Sequence, residues 1–273
     1  MRVTDLFGRF DFGQRFLNSQ QQDCDEAFIA LFSPIFANST ECKKVFEFVL
    51  KSTLSDLSCG CILSRSRVDP FLNLDVPISG LSVFDCLTAF CKKESVPDYN
   101  CVSHGLVPIK KQFSFSSVPE IFHIGLKVFD NTGRKTFFTS FDLILNLKVF
   151  FEPVSNNDLF FDLFAFVVHI GPSRNRGHYV SFVKKQVEPF CFVLFCFICF
   201  VFCFFFSLCF LSKGAWVFFN DQIVQPLNPL EYLNNEQTGT ATIRTLFYRR
   251  RGVAPIQGEK RKKRICLFLM KAH

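Results

Sequence analysis

Gly171–Lys185, GPSRNRGHYVSFVKK, and Gly214–Val224, GAWVFFNDQIV, are the stretches on which the reading of this sequence turns. Each alternates as a half-buried strand does. Eight residues run from His178 to Lys185 and seven from Gly214 to Asn220. Antiparallel pairing is therefore expected to bring Asn220 beside His178. An imidazole next to a side-chain amide or carboxylate is the base-plus-orienter arrangement of a nucleophilic hydrolase. The second group fixes the tautomer, and the free ring nitrogen can take the proton of a thiol. Gly177 would let a substrate backbone come close. Asp221 is expected on the opposite face of its strand if the alternation continues. A lone histidine on a strand is more often structural than catalytic, so the pattern alone leaves both roles open.

Between these strands lies Phe190–Leu211, FCFVLFCFICFVFCFFFSLCFL, with no charge, glycine or proline. The chain has 40 Phe against 4 Tyr and 1 Trp, and ten of the 40 fall in this block of 22 residues. Its length would suffice for a membrane helix of about 33 Å. Its position argues otherwise. The flanking strands must meet, whereas a single span would set them on opposite sides of a bilayer. A re-entrant hairpin would need a turn that the block does not encode. A membrane partner is therefore not expected, and membrane anchoring through 190–211 is the rival reading.

Working outward, 273 residues allow one large domain or two small ones, and 49% hydrophobic content is enough for a core. Residues 20–33, QQQDCDEAFIALFS, begin acidic and continue with apolar residues at helical spacing. SCGC (58–61) opens a turn-rich stretch leading to PFLNLDVPI, a strand pattern, and SVFDCLTAFC (82–91) returns to helical periodicity. YNCVSH (99–104) is expected to form a second turn. KQFSFSS (111–117), EIFHIGLKVF (120–129) and LFAFVVHIG (163–171) read as strands. Helix first and then many strands predicts an α+β fold. The net charge of +7 owes much to Lys260, Arg261, Lys262, Lys263 and Arg264. Such a run can bind nucleic acid, but it reads better as a solvated tail, and no nucleic-acid partner is expected. The opening RVTDLFGRFDFGQ lacks a secretory layout, and the 13 Cys form no even framework. A reducing compartment, cytoplasmic or nuclear, is expected.

GHYVSFVK followed by W-x-x-F-N-D resembles the histidine box of the ubiquitin-specific proteases. LFYRR (246–250) is similar to the strand that closes that domain, and QQQDCDEAF (20–28) to its Gln-Gln-Asp helix, with Ala27 where Phe is usual. DPFLNLDV (69–76) and LKVF (126–129) follow the family's order. The resemblance implies the C-terminal part of a papain-like domain, with a helical thumb remnant and β-rich fingers and palm. It implies hydrolysis of ubiquitin conjugates, with His178 as general base, Asn220 as the third triad residue and Asp221 as the acid supporting the oxyanion region. Asp23 resembles the helix acid that meets the basic C-terminal tail of ubiquitin. RNRGHY resembles members activated by β-propeller partners.

The resemblance also exposes departures. The nucleophile belongs to a Gly-x-x-Asn-x-Gly-Asn-Thr-Cys box ahead of the Gln-Gln-Asp helix, and residues 1–19 contain no cysteine. Cys24 stands where the family has a small helix residue. The chain by itself is expected to be catalytically silent, and a non-catalytic ubiquitin-binding pseudoenzyme is the alternative reading beside membrane anchoring. The family's fingers often carry two Cys-x-x-Cys turns that hold structural Zn²⁺. Here the candidate ligands are Cys59, Cys61, Cys101 and His104, with the first pair one residue too close. No other cofactor is expected. Residues 186–213 have no counterpart in the family pattern, and their residue types share T-rich codons, as a translated retained intron would. The expected organisation is a partial catalytic domain over 1–250, interrupted at 186–213, and a basic tail over 251–273.

Overall fold

A computed structural model describes residues 23–30, 40–56, 62–76, 82–129, 136, 138, 140–152, 159–174, 176–185, 214–234 and 240–252. Its helices are α1 (residues 24–30), α2 (Thr40–Phe46), α3 (Val83–Cys91) and α4 (Pro229–Leu233). The strands are β1 (Phe48–Asp56), β2 (Ile62–Asp69), β3 (Leu72–Asp75), β4 (Glu94–Cys101), β5 (Gly105–Ser117) and β6 (Ile121–Lys127). They continue with β7 (Ile144–Asn146), β8 (Phe160–Ser173), β9 (Arg176–Lys184), β10 (Trp216–Asn220), β11 (Ile223–Pro226) and β12 (Ala241–Arg250). One helix-poor, strand-rich chain results, the α+β class expected from its element order. Among the described residues no helix is long and apolar enough to cross a membrane.

The strands form two sheets. The smaller has the order β2-β1-β5-β4, and the larger runs β11-β10-β9-β8-β12-β6-β3 with β7 beside β8. Hydropathy explains which strands are central. Leu163–His169 of β8, Ile121–Leu126 of β6 and Ala241–Tyr248 of β12 are buried throughout. A strand covered on both faces reads as a continuous apolar run rather than an alternation. One face meets the main core, which includes Phe122, Ile124, Phe166, Leu246 and Tyr248. α1 covers the other: Phe28 packs edge-on to His123 at 4.1 Å and lies 5.8 Å from Phe247.

Phenylalanine also joins the sheets. Phe48 of β1, Phe115 of β5 and Phe122 of β6 form an edge-to-face trio with centroids 5.3–5.7 Å apart. Such geometry satisfies ring quadrupoles as well as burying area. α3 is capped by Ser82, whose hydroxyl accepts from the Asp85 N–H, as its sequence pattern requires. Asp142 accepts the Phe84 N–H through Oδ2 and the Tyr248 hydroxyl through its backbone oxygen, so it ties α3 to β12.

Two expectations need adjustment. The second turn is confined to residues 102–104, because Tyr99–Cys101 pair in β4 with the start of β5. In 20–33 the described helix is 24–30, and the remainder of that expectation lies outside the described residues.

Candidate active site

β9 and β10 pair antiparallel, with Trp216 opposite Lys184, Val217 opposite Val183, Phe218 opposite Phe182 and Phe219 opposite Ser181. In this register Asn220 falls opposite Val180, not His178. Asn220 nevertheless stands beside His178, as the sequence led one to expect. The two side chains still share a face, because a slip of two preserves alternation, and a diagonal neighbour is within reach of a long side chain. His178 Nε2 lies 2.6 Å from Asn220 Oδ1. With a carbonyl oxygen as partner, Nε2 carries the proton and donates it, which leaves the lone pair on Nδ1. Apolar neighbours support the pair: Phe182 meets Phe218 at 5.1 Å, and both pack on Tyr232 of α4.

Asp221 departs from the expected position. Alternation stops at Asn220 because Asp221 begins the turn between β10 and β11, with φ of 49°. Aspartate tolerates this left-handed conformation better than most residues. The turn brings its carboxylate back, and Oδ2 stands 3.8 Å from His178 Nε2 instead of on the far face. Both groups are substantially exposed, so their attraction is screened.

Gly177 meets a packing constraint beside the substrate approach expected of it. A Cβ there would overlap the imidazole of His169 and the carbonyl oxygen of Ile170 in β8. What comes close at that position is the neighbouring strand, since His169 pairs with Tyr179 and Ile170 with His178.

Asp23 faces inward. Its Oδ1 accepts from the N–H groups of Asp25 (2.9 Å) and Glu26 (3.4 Å), capping α1, and its Oδ2 accepts from Arg244 Nη2 at 3.1 Å. The same Nη2 is 2.9 Å from Asp25 Oδ2. Asp25 Oδ2 nevertheless has no well-aligned donor, so charge rather than hydrogen-bond geometry holds this second contact. Burial pushes the Asp25 carboxyl up to about 7, with Arg244 opposing and Asp23 adding to the rise. Nothing in the sequence singled out Arg244 or Asp25. Neighbouring His123, fully buried, is held well below its usual range by desolvation and by Arg244. The donor atoms of Asp23, Cys24 and Asp25 lie within 4.8 Å of one another, but Arg244 already supplies their cation.

For the expected zinc ligands, Cys101 Sγ and His104 Nδ1 lie 3.6 Å apart across the exposed β4–β5 turn. Two ligands of one tetrahedral Zn²⁺ stand about 3.6 Å apart, given Zn–S and Zn–N bonds near 2.3 and 2.0 Å. The hydrogen bond with His104 lowers the Cys101 thiol pKa, which favours the thiolate a metal needs. This half of the set fits the ion. Cys59 and Cys61 lie outside the described residues.

The family model for "Ubiquitin carboxyl-terminal hydrolase" matches residues 6–248. The probable ubiquitin carboxyl-terminal hydrolase 9 of Schizosaccharomyces pombe is 26% identical over 261 residues, covering 86% of this chain and 40% of that protein. Ubiquitin carboxyl-terminal hydrolase 8 of Saccharomyces cerevisiae is 26% identical over 221 residues, 73% of this chain and 41% of its own length. This chain thus spans about two fifths of those relatives. In fold it is similar to the SAGA Ubp8/Sgf11/Sus1/Sgf73 DUB module bound to ubiquitin aldehyde. The TM-score is 0.66 at 22% identity, over 91% of this chain and 53% of that one.

Proposed function

The chain belongs to the ubiquitin carboxyl-terminal hydrolase family, and from that premise we propose that it carries the base half of a thiol-dependent deubiquitinase whose nucleophile lies outside it. The observation that carries this reading is the 2.6 Å contact of His178 Nε2 with Asn220 Oδ1. In the complete reaction, His178 Nδ1 takes the proton of a cysteine thiol. The thiolate attacks the carbonyl carbon of the C-terminal glycine of ubiquitin and displaces the amine bonded to it. The leaving amine departs with the proton from His178, and a thioester remains. Water, deprotonated by His178, then cleaves the thioester and returns the thiol. Asn220 holds the imidazole in the tautomer this cycle needs, and Asp221 favours the imidazolium formed in each half.

Among the described residues no cysteine is hydrogen-bonded to this pair. Residues 1–19 hold no cysteine, and Cys24 sits in α1 between two aspartates, its Sγ 3.9 Å from Asp25 Oδ1. Loss of the nucleophile costs a hydrolase roughly a million-fold in rate. The 273-residue chain is silent by itself, and affinity for ubiquitin without hydrolysis is its expected behaviour. A ubiquitin probe with a C-terminal electrophile tests this: no adduct should form, and clean labelling at Cys24 sinks the reading. Joining an upstream cysteine box to the chain should restore hydrolysis of a ubiquitin amide, and His178→Ala should abolish it again.

The same proposal includes one structural zinc held by Cys59, Cys61, Cys101 and His104, read by metal analysis of purified protein. It divides the chain into an interrupted catalytic part over 1–250 and a basic tail over 251–273. It assigns 186–213 to a retained intron, which transcripts that always keep those codons would rule out. A β-propeller activator, suggested by RNRGHY, would appear as a co-purifying partner and belongs to this reading alone.

A further inference from the structure

Resting on the ubiquitin-binding reading above, we infer that Arg244 is a specificity-determining residue: it fills from within the chain the place beside Asp23 that a basic ubiquitin tail would otherwise engage, with Asp25 as its second partner. Ubiquitin is then bound through its folded body, and the charge of its tail contributes little.

Three observations carry the inference. The side chains of Arg244, Asp23 and Asp25 are only 10%, 8% and 5% exposed, so the guanidinium and both carboxylates are already desolvated together. Both oxygens of Asp23 are engaged, Oδ1 by the α1 backbone and Oδ2 by Arg244. Arg244 is itself anchored through Nη1 to the Leu126 carbonyl oxygen, which fixes its direction toward the acids. Separating such a pair would leave an uncompensated buried charge, whereas an incoming arginine would still lose its own hydration. Exchange of one guanidinium for another therefore brings no gain.

The remaining acid of α1 follows the same pattern. Glu26 is met by Arg174 of the β8–β9 hairpin at 3.7 Å. Arg174 and Arg176, both exposed just ahead of His178, add positive charge where a basic tail would approach. With burial pushing Asp25 up to about 7, the trio Asp23, Arg244 and Asp25 holds little net charge near neutral pH.

The test compares binding of the full chain to ubiquitin and to ubiquitin whose tail arginines are replaced by alanine. The two affinities should agree within about twofold, and a loss of about tenfold or more for the neutralised tail overturns the inference. Arg244→Gln combined with Asp25→Asn removes one charge of each sign, and should create a preference for the native tail. If the chain binds neither form, the ubiquitin-binding reading fails. The internal pairing is then decided by thermal unfolding of Asp23→Asn, Arg244→Gln and the double variant. Strongly non-additive shifts in midpoint support it, and additive shifts overturn it.

Discussion

At His178 one hydrogen bond decides which ring nitrogen is free. Donation from Nε2 to Asn220 Oδ1 at 2.6 Å implies that the neutral ring is predominantly the Nε2–H tautomer. Nitrogen-15 chemical shifts should report that tautomer, and Asn220→Ala should give a mixture; an unchanged spectrum removes Asn220 from its orienting role. At Asp25 the sign of the pH effect is fixed by burial. The folded carboxyl sits at about 7 against 3.8 for the free group, so the folded state holds the extra proton between these values. Its contribution is fully present below pH 3.8 and is lost as pH rises through about 7. Urea unfolding across this range should show stability falling, and Asp25→Asn should flatten that dependence.

Among elements, β9 carries His178 and β10 carries Asn220, and β8 pairs directly with β9. The close approach of β8 at Gly177 makes that glycine a packing requirement: an added methyl meets His169 and the Ile170 carbonyl, both set in a buried strand. Gly177→Ala should cost roughly 1–3 kcal/mol by overpacking, measured by denaturant unfolding. Loss of the His178–Asn220 contact in the same variant would show that strand position controls the site. The alternating pattern of β9 and β10 was legible because one face of each is apolar. Their two-residue offset was not, since residue counts ignore where the ladder ends. The turn at Asp221 likewise depends on the β10–β11 hairpin, which alternation cannot register.

On the scale of the whole molecule, Lys185 and Gly214, the described residues on either side of 186–213, stand together. Lys185 donates to the Ala215 carbonyl at 2.7 Å, and Gly214 donates to that of Lys185 at 2.9 Å, so the residues flanking 186–213 are joined beside the β9–β10 pair. Replacing 186–213 by a two-residue turn should leave the fold intact. It should stabilise the chain by roughly 2 kcal/mol through lower loop-closure entropy, as read by urea unfolding. A loss of stability would mean that the segment contributes to the core. The sequence by itself determined the α+β class, the strands of the palm, the face shared by His178 and Asn220, and the membership that the histidine box announces, because periodicity and short motifs are local properties. Only the tertiary structure decided that Asp23 turns inward, that Asp25 is buried beside it, and that His169 backs Gly177. Arg244 lies 221 residues from Asp23 along the chain, and only folding of the sheet against α1 brings the charges together.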